Sequence, residues 1–182
     1  MTNTTTGFSN AALGQDTLRD NTTGDGNTAA GYSALLSNTT ADNNTAVGRV
    51  AMEANTTGAH NTAVGSNALN ANTTASDNTA VGYNALALNT TGFNSTAVGR
   101  NALKANTTGI GNTAVGYDSL QVNTTGGGNT SLGANSLEAN TTANYNTAVG
   151  ESAMQATTTG SHNTSVGTFS LKVNTSGYDN VA

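Results

Sequence analysis

Two histidines, ten carboxylates and five basic side chains are nearly all the ionisable chemistry in this chain of 182 residues, and it has no cysteine. Without cysteine there are no disulfides, thiolate nucleophiles, or Cys-ligated zinc or iron–sulfur sites. His60 and His162 occupy the same position of a repeat but lie six repeat units apart, too far to share a metal. The acids form no recurring pair. Asp16 and Asp20 are near neighbours, and Asp25 and Asp42 are equivalent positions of adjoining units; both pairs read as solvated surface. The run Gly126-Gly127-Gly128 has no lysine and no dinucleotide pattern, so a phosphate loop is unsupported. The calcium-binding G-G-x-G-x-D pattern of other β-rolls is absent. Charged residues make up 8% of the chain, against roughly 25% in ordinary soluble domains. The chain therefore reads as non-enzymatic, with no catalytic, metal-ligating or cofactor-binding residues.

The same scarcity limits partners. A net charge of −5 with only five basic residues argues against nucleic acid and anionic membrane surfaces. No apolar run approaches the roughly 18 residues of a membrane span, so no membrane insertion is expected. Met1 to Gly14 has neither the basic nor the apolar region of a signal peptide.

The elements that position these residues come from a repeat. A unit of 17 residues, N-T-A-V-G-x-x-A-L-x-A-N-T-T-G-x-x, recurs ten times without insertion or deletion. Units start at Asn10, Asn27, Asn44, Asn61, Asn78, Ser95, Asn112, Asn129, Asn146 and Asn163, and an eleventh starts at Asn180. Residues 1–182 are thus a single repeat domain. Numbered by column, the fifth residue is always Gly and the thirteenth always Thr. Column 9 is Leu or Met, column 4 is Val, Leu or Ala, and columns 3 and 8 hold small residues. Columns 6, 7, 10, 16 and 17 read as freely variable; they carry every aromatic and every charge except Asp20.

Seventeen residues with two turns are too few for a helix pair, which needs roughly 30. The pattern predicts an all-β fold: a β-solenoid (β-roll or β-helix) with one repeat per coil and about 10–11 coils stacked at about 4.8 Å. N-T-A-V reads as one strand, and A-L-x-A-N-T-T as a second extended stretch. Column 9 supplies the main apolar stack: Leu35, Met52, Leu69, Leu86, Leu103, Leu120, Leu137, Met154 and Leu171. Column 4 is expected to be the second. Column 12 supplies an asparagine ladder: Asn21, Asn38, Asn55, Asn72, Asn89, Asn106, Asn123, Asn140 and Asn174. This core is thin. One buried Leu is worth roughly 1.5–3 kcal/mol, against an ordering cost of about 1–2 kcal/mol for each residue of the coil. Neighbouring coils must supply most of the stability. The absence of proline agrees with a backbone whose N–H groups are needed between coils.

Adjacent columns 3 and 4 are both restricted, as are 8 and 9, so both faces of the strands look covered. A tight bend, a second copy of the chain, or the opposite wall of a flattened coil would each explain this. The column-12 asparagines also form N-x-[ST] acceptor sequons, though the ladder alone accounts for them. Threonine in columns 2, 13 and 14 makes ice binding the rival reading. Its usual T-x-T spacing is replaced by consecutive T-T, in which one side chain is expected to point in and one out. Met1 falls in column 9 and Ala182 in column 3, with no cap at either end. End-to-end stacking of copies into a filament follows as an expectation.

The segment N-T-A-V-G-Y-N-A-L-A-L-N-T-T-G, from Asn78 to Gly92, resembles the head repeats of trimeric autotransporter adhesins of the Hep/Hag, YadA-like type. It also resembles phage tail-fibre-like repeats, in a 17-residue variant. The resemblance covers the chain. It implies a β-roll, three chains packed together, and a fibrous, surface-exposed and adhesive role on a cell surface or virion. The expected partners are therefore copies of the chain itself, as a trimer or head-to-tail filament, and a host-surface or glycan ligand. Recognition would fall on the exposed column 6, at Tyr32, Arg49, Tyr83, Arg100 and Tyr117.

Overall fold

A computed structural model describes residues 6–182, so the placement of Met1 in column 9 lies outside the described residues. The described chain is a β-solenoid with no helix. Each coil contributes one three-residue strand: β1 (Ala11–Leu13), β2 (Thr28–Ala30), β3 (Thr45–Val47), β4 (Thr62–Val64), β5 (Thr79–Val81), β6 (Thr96–Val98), β7 (Thr113–Val115), β8 (Thr130–Leu132), β9 (Thr147–Val149) and β10 (Thr164–Val166). They form a single parallel sheet in chain order. Every pairing keeps the repeat register, as in Thr45↔Thr62, Ala46↔Ala63 and Val47↔Val64. A coil is named below by the number of its strand.

The strands point the other way round from the sequence expectation. Column-3 residues such as Ala46, Ala63 and Ala80 are fully buried, while column 4 faces outward, with Val47 38% and Val64 37% exposed. The reason lies across the coil. Columns 3 and 8 are opposite walls in direct contact: in coil 8 the hydroxyls of Ser131 and Ser136 hydrogen-bond to each other. Only a small side chain fits that gap, so the small residue turns in and the larger Val is left outside. Of the three explanations for restricted neighbouring columns, the flattened coil accounts for columns 3 and 8. The core is therefore columns 3, 8 and 9, with the Leu/Met stack fully buried from Leu18 to Met154 and Leu171 packed against it.

The expected second strand is a turn. Columns 7 and 9 both take left-handed backbone: φ is 57° at Asn84 and 50° at Leu86. Leucine does not favour this region, since its Cβ crowds the following carbonyl at a cost of roughly 1–2 kcal/mol. Complete burial of the side chain offsets that cost. Column-5 glycine has φ near 138° at Gly48, and a Cβ there would lie 2.5 Å from the carbonyl oxygen of Gly65 in the next coil. Both the angle and the contact exclude any other residue.

Backbone pairing continues through the turns. Gly48 N–H donates to Ala30 O (2.8 Å), Asn67 N–H to Arg49 O (3.0 Å), and Leu69 N–H to Ala85 O (3.0 Å). Bonds thus run to both neighbouring coils, which holds every column in rank.

Candidate functional site

Column 12 lies inside the solenoid. Asn55 donates one amide proton to Asn38 Oδ1 of the preceding coil (3.0 Å) and the other to Gly58 O of its own coil (2.9 Å). Column-1 asparagine meets the same carbonyl: Asn44 Nδ2 donates to Gly58 O (2.9 Å), and its Oδ1 accepts the N–H of Asn61 (2.9 Å). Asn21, Asn38, Asn55, Asn72, Asn89, Asn106, Asn123 and Asn140 are all fully buried. Their amide nitrogens are not open to glycosylation in the folded chain. Thr157 interrupts the ladder and leaves Asn140 Oδ1 buried without a partner, while its own hydroxyl donates to Asn174 O (2.8 Å). Asn174 is half-buried, and its amide donates to Gly177 O at 3.4 Å.

Column 6 leaves the sheet just after the glycine and stands outside. Tyr32, Tyr83 and Tyr117 are about half exposed, at 48–49%, and Arg49 and Arg100 are exposed with them. Column-7 N–H groups bond the column-6 carbonyls of the preceding coil, as in Asp118 N–H to Arg100 O (3.0 Å), which fixes their rise. The structure brings Arg100 and Tyr117 together: Arg100 Nη1 donates to the tyrosine hydroxyl (3.1 Å), and the guanidinium carbon lies 5.4 Å from the ring centre. Tyr83 stands one coil before Arg100, and Tyr32 one coil before Arg49; Ser66 separates the two groups.

Columns 7 and 16 are less free than their composition implies. Asn67, Asn84, Asn101 and Asp118 form a second ladder, each amide donating to the next coil (3.0, 3.3 and 2.9 Å). Where column 16 is Asp, Asn or Ser, its side chain accepts the N–H of the preceding coil, as Asp42 Oδ1 does from Asp25 (2.8 Å). Asp25 and Asp42 are thus hydrogen-bonded rather than merely solvated. Asp20 pairs with Arg19 (3.1 Å), and this hydrogen bond and charge raise the Arg19 pKa above its ordinary value.

The remaining chemistry is dispersed. His60 Nδ1 lies 3.8 Å from Asp77 Oδ1, with both side chains exposed. His162 stacks on Tyr145 with ring centres 5.3 Å apart. Among the described residues no three His, Cys, Asp or Glu side chains converge as metal ligands would. Ser119, Ser131 and Ser136 cluster in the core, but each hydroxyl is spent on the others or on a carbonyl, with no base beside them.

The surface contains a notch of about 400 Å³, lined by Thr108, Ile110, Thr125, Gly127, Gly128 and Tyr145. The three successive glycines were its only sequence signal. Elsewhere the surface consists of ranks: outward Thr and Val on the sheet, and an exposed file of column-14 threonines from Thr23 to Thr159. The column-13 threonines from Thr22 to Thr158 lie half-buried, with hydroxyls such as Thr56 Oγ1 bonded to the next coil (3.0 Å to Thr73 O). Neither of the consecutive threonines points into the core. This is a tandem-repeat protein of the β-solenoid class. No protein-family model, curated protein or solved structure matches the chain.

Proposed function

We propose that the protein is a structural, non-catalytic solenoid whose copies pack side by side through the outer face of the sheet to build a fibre. The observation that carries this reading is column 4, which is restricted to Val, Leu or Ala although it faces solvent. Columns 2 and 4 carry no charge in any coil, so the face is a continuous uncharged strip along the rod. Such strips mark contact surfaces. A second copy is the occupant whose ranks have the same spacing of about 4.8 Å per coil. The resemblance of N-T-A-V-G to trimeric adhesin heads supports three-fold packing and a place on a cell surface or virion. The exposed Tyr and Arg of column 6 would then make the adhesive contact, and stacking of rods end to end would lengthen the fibre.

Light scattering of the purified chain tests the packing. A defined multimer is expected, and changing Val64, Val81 and Val98 together to Lys should give monomers with an unchanged circular dichroism spectrum. A wild-type chain that is monomeric at tens of micromolar overturns the proposal. Ice binding is favoured by a separate observation: outward Thr and Val share a flat face, and column 14 adds a file of exposed threonines. Thermal hysteresis by the monomer would select that reading instead.

A further inference from the structure

Column 10 varies freely in residue type, yet its charges are ordered. Arg19 stands in coil 1, Glu53 in coil 3, Lys104 in coil 6 and Glu138 in coil 8, with uncharged residues between them. Along the rod the signs alternate, and reversing the order of these coils inverts every sign. Reversal sets coil 1 against coil 8 and coil 3 against coil 6, with opposite charges each time. Glu53 and Glu138 each accept one amide proton, from Asn70 (3.2 Å) and Gln155 (2.7 Å). Neither they nor Lys104 have an ion-pair partner among the described residues.

These charges edge an apolar strip. Column 11 is Ala, Leu or Val in every coil from 3 to 10, and its large members are open to solvent, with Leu88 50% and Val122 37% exposed. Column-11 N–H groups bond the column-10 carbonyls of the next coil, as Leu88 does to Lys104 O (3.0 Å), which holds the two columns in step. Column-13 hydroxyls are committed along the rod, as Thr90 Oγ1 is to Thr107 O (3.0 Å). In coils 1–8 the other charge of this wall is Asp20, which pairs with Arg19 (3.1 Å).

We propose that the wall of columns 10, 11 and 13 pairs two copies of the chain antiparallel, coil 1 of one against coil 8 of the other, as a closed two-fold dimer. Glu53 then faces the partner's Lys104, a pairing that symmetry makes twice. Arg19 faces the partner's Glu138 while keeping Asp20. Bulk is matched as well: Leu88 falls opposite the partner's Ala71, and Val122 opposite the partner's Ser37. Only reversed coils bring these columns together. A two-fold axis lying across the strip turns the coils round and leaves each column facing itself. An axis along the rod keeps the coils in step but carries column 10 to the far edge of the strip. Of the reversed registers that overlap by seven coils or more, this alone sets every column-10 charge of the overlap against its opposite. The strip is roughly 38 Å long and 13 Å wide, at about 4.8 Å per coil and 3.3 Å per residue. That is about 500 Å² on each rod, at the low end for a specific interface, so the pairing is weak and salt-sensitive. It goes beyond the packing of the sheet face proposed above and uses none of its residues, so either proposal can fail alone.

Sedimentation equilibrium tests it on the chain whose sheet face is blocked by Val64→Lys, Val81→Lys and Val98→Lys. Monomers are expected at tens of micromolar and dimers at millimolar concentration in low salt, with the dimer lost in molar salt. Lys104→Glu sets like charges together twice and should weaken dimerisation about tenfold or more. Adding Glu53→Lys to Lys104→Glu should restore it. The wild-type chain carries the same test: its association at millimolar concentration should increase and should respond to these reversals in the same order. Nitroxides on the exposed column 14 report the direction. The chain has no cysteine, so Thr74→Cys in coil 4 and Thr142→Cys in coil 8 can each be labelled alone. In the antiparallel dimer the two coil-4 labels lie about one coil apart along the rod, and the two coil-8 labels about seven coils, or roughly 34 Å. Electron–electron double resonance should therefore give a much longer distance at coil 8, whereas parallel packing gives one distance at both positions. Equal distances, no dimer at millimolar concentration, or no rescue by the double reversal overturns the pairing.

Discussion

Of the three asparagine ladders that climb this rod, those of columns 12 and 7 differ in what each amide does with its second proton. In column 12, Asn89 donates to Asn72 in the preceding coil (3.1 Å) and also to Gly92 O in its own (2.8 Å). In column 7, Asn84 donates only to Asn101 in the next coil (3.3 Å) and is half-buried. The inner amide closes the coil and joins it to its neighbour; the outer amide only joins. The inner column accordingly admits one exception, Thr157, while the outer column also accepts Ser, Asp, Val and Phe. Stacking alone does not hold a column to one residue; a second, intracoil bond does.

The sharpest way to break this contrast is Asn89→Ala. It leaves Asn72 Oδ1 and one amide proton of Asn106 buried and unpaired, at about 1–3 kcal/mol each. A loss of about 4 kcal/mol is expected from urea unfolding. Leu86→Ala in the adjoining core stack should cost about 3 kcal/mol, within the range for buried Leu truncations. Thr157→Asn should act in the opposite direction, giving Asn140 Oδ1 its missing donor and stabilising by about 1–2 kcal/mol. Slower amide exchange in coils 8–10 would localise that gain. Asn84→Ala should cost only about 1 kcal/mol, since its bonds are partly solvated and its left-handed backbone is the other thing asparagine supplies. A loss equal to that of Asn89→Ala would end the distinction between the ladders. Tyr83→Ala, on the outer wall, should change stability by less than about 0.5 kcal/mol.

The period, the single-coil repeat, the Leu/Met stack and the inner asparagine column were legible because each depends on an identical residue recurring at a fixed interval. The direction of the strand was not. Three residues do not set a phase, and Val reads as the natural inward residue until the Ala of column 3 is known to meet column 8 across a gap one small side chain wide. The turn at columns 7–9 was hidden for a similar reason: Leu86 adopts a backbone that leucine avoids, held there by burial rather than by local preference. Column 16 looked free because its acceptors vary among Asp, Asn and Ser while performing one task. The notch was legible only as three glycines, since its walls come from residues 17 positions to either side.

The unbroken register has a consequence for how such a rod changes length. A one-residue insertion would displace every rank beyond it, turning core columns toward solvent and inner amides away from their carbonyls. Gain or loss of a whole unit of 17 residues disturbs nothing but the extent of the stack, because each coil offers the next the same surface. The molecule can therefore be lengthened only in discrete steps of about 4.8 Å, so that counting repeats in a related chain measures its rod as a ruler would.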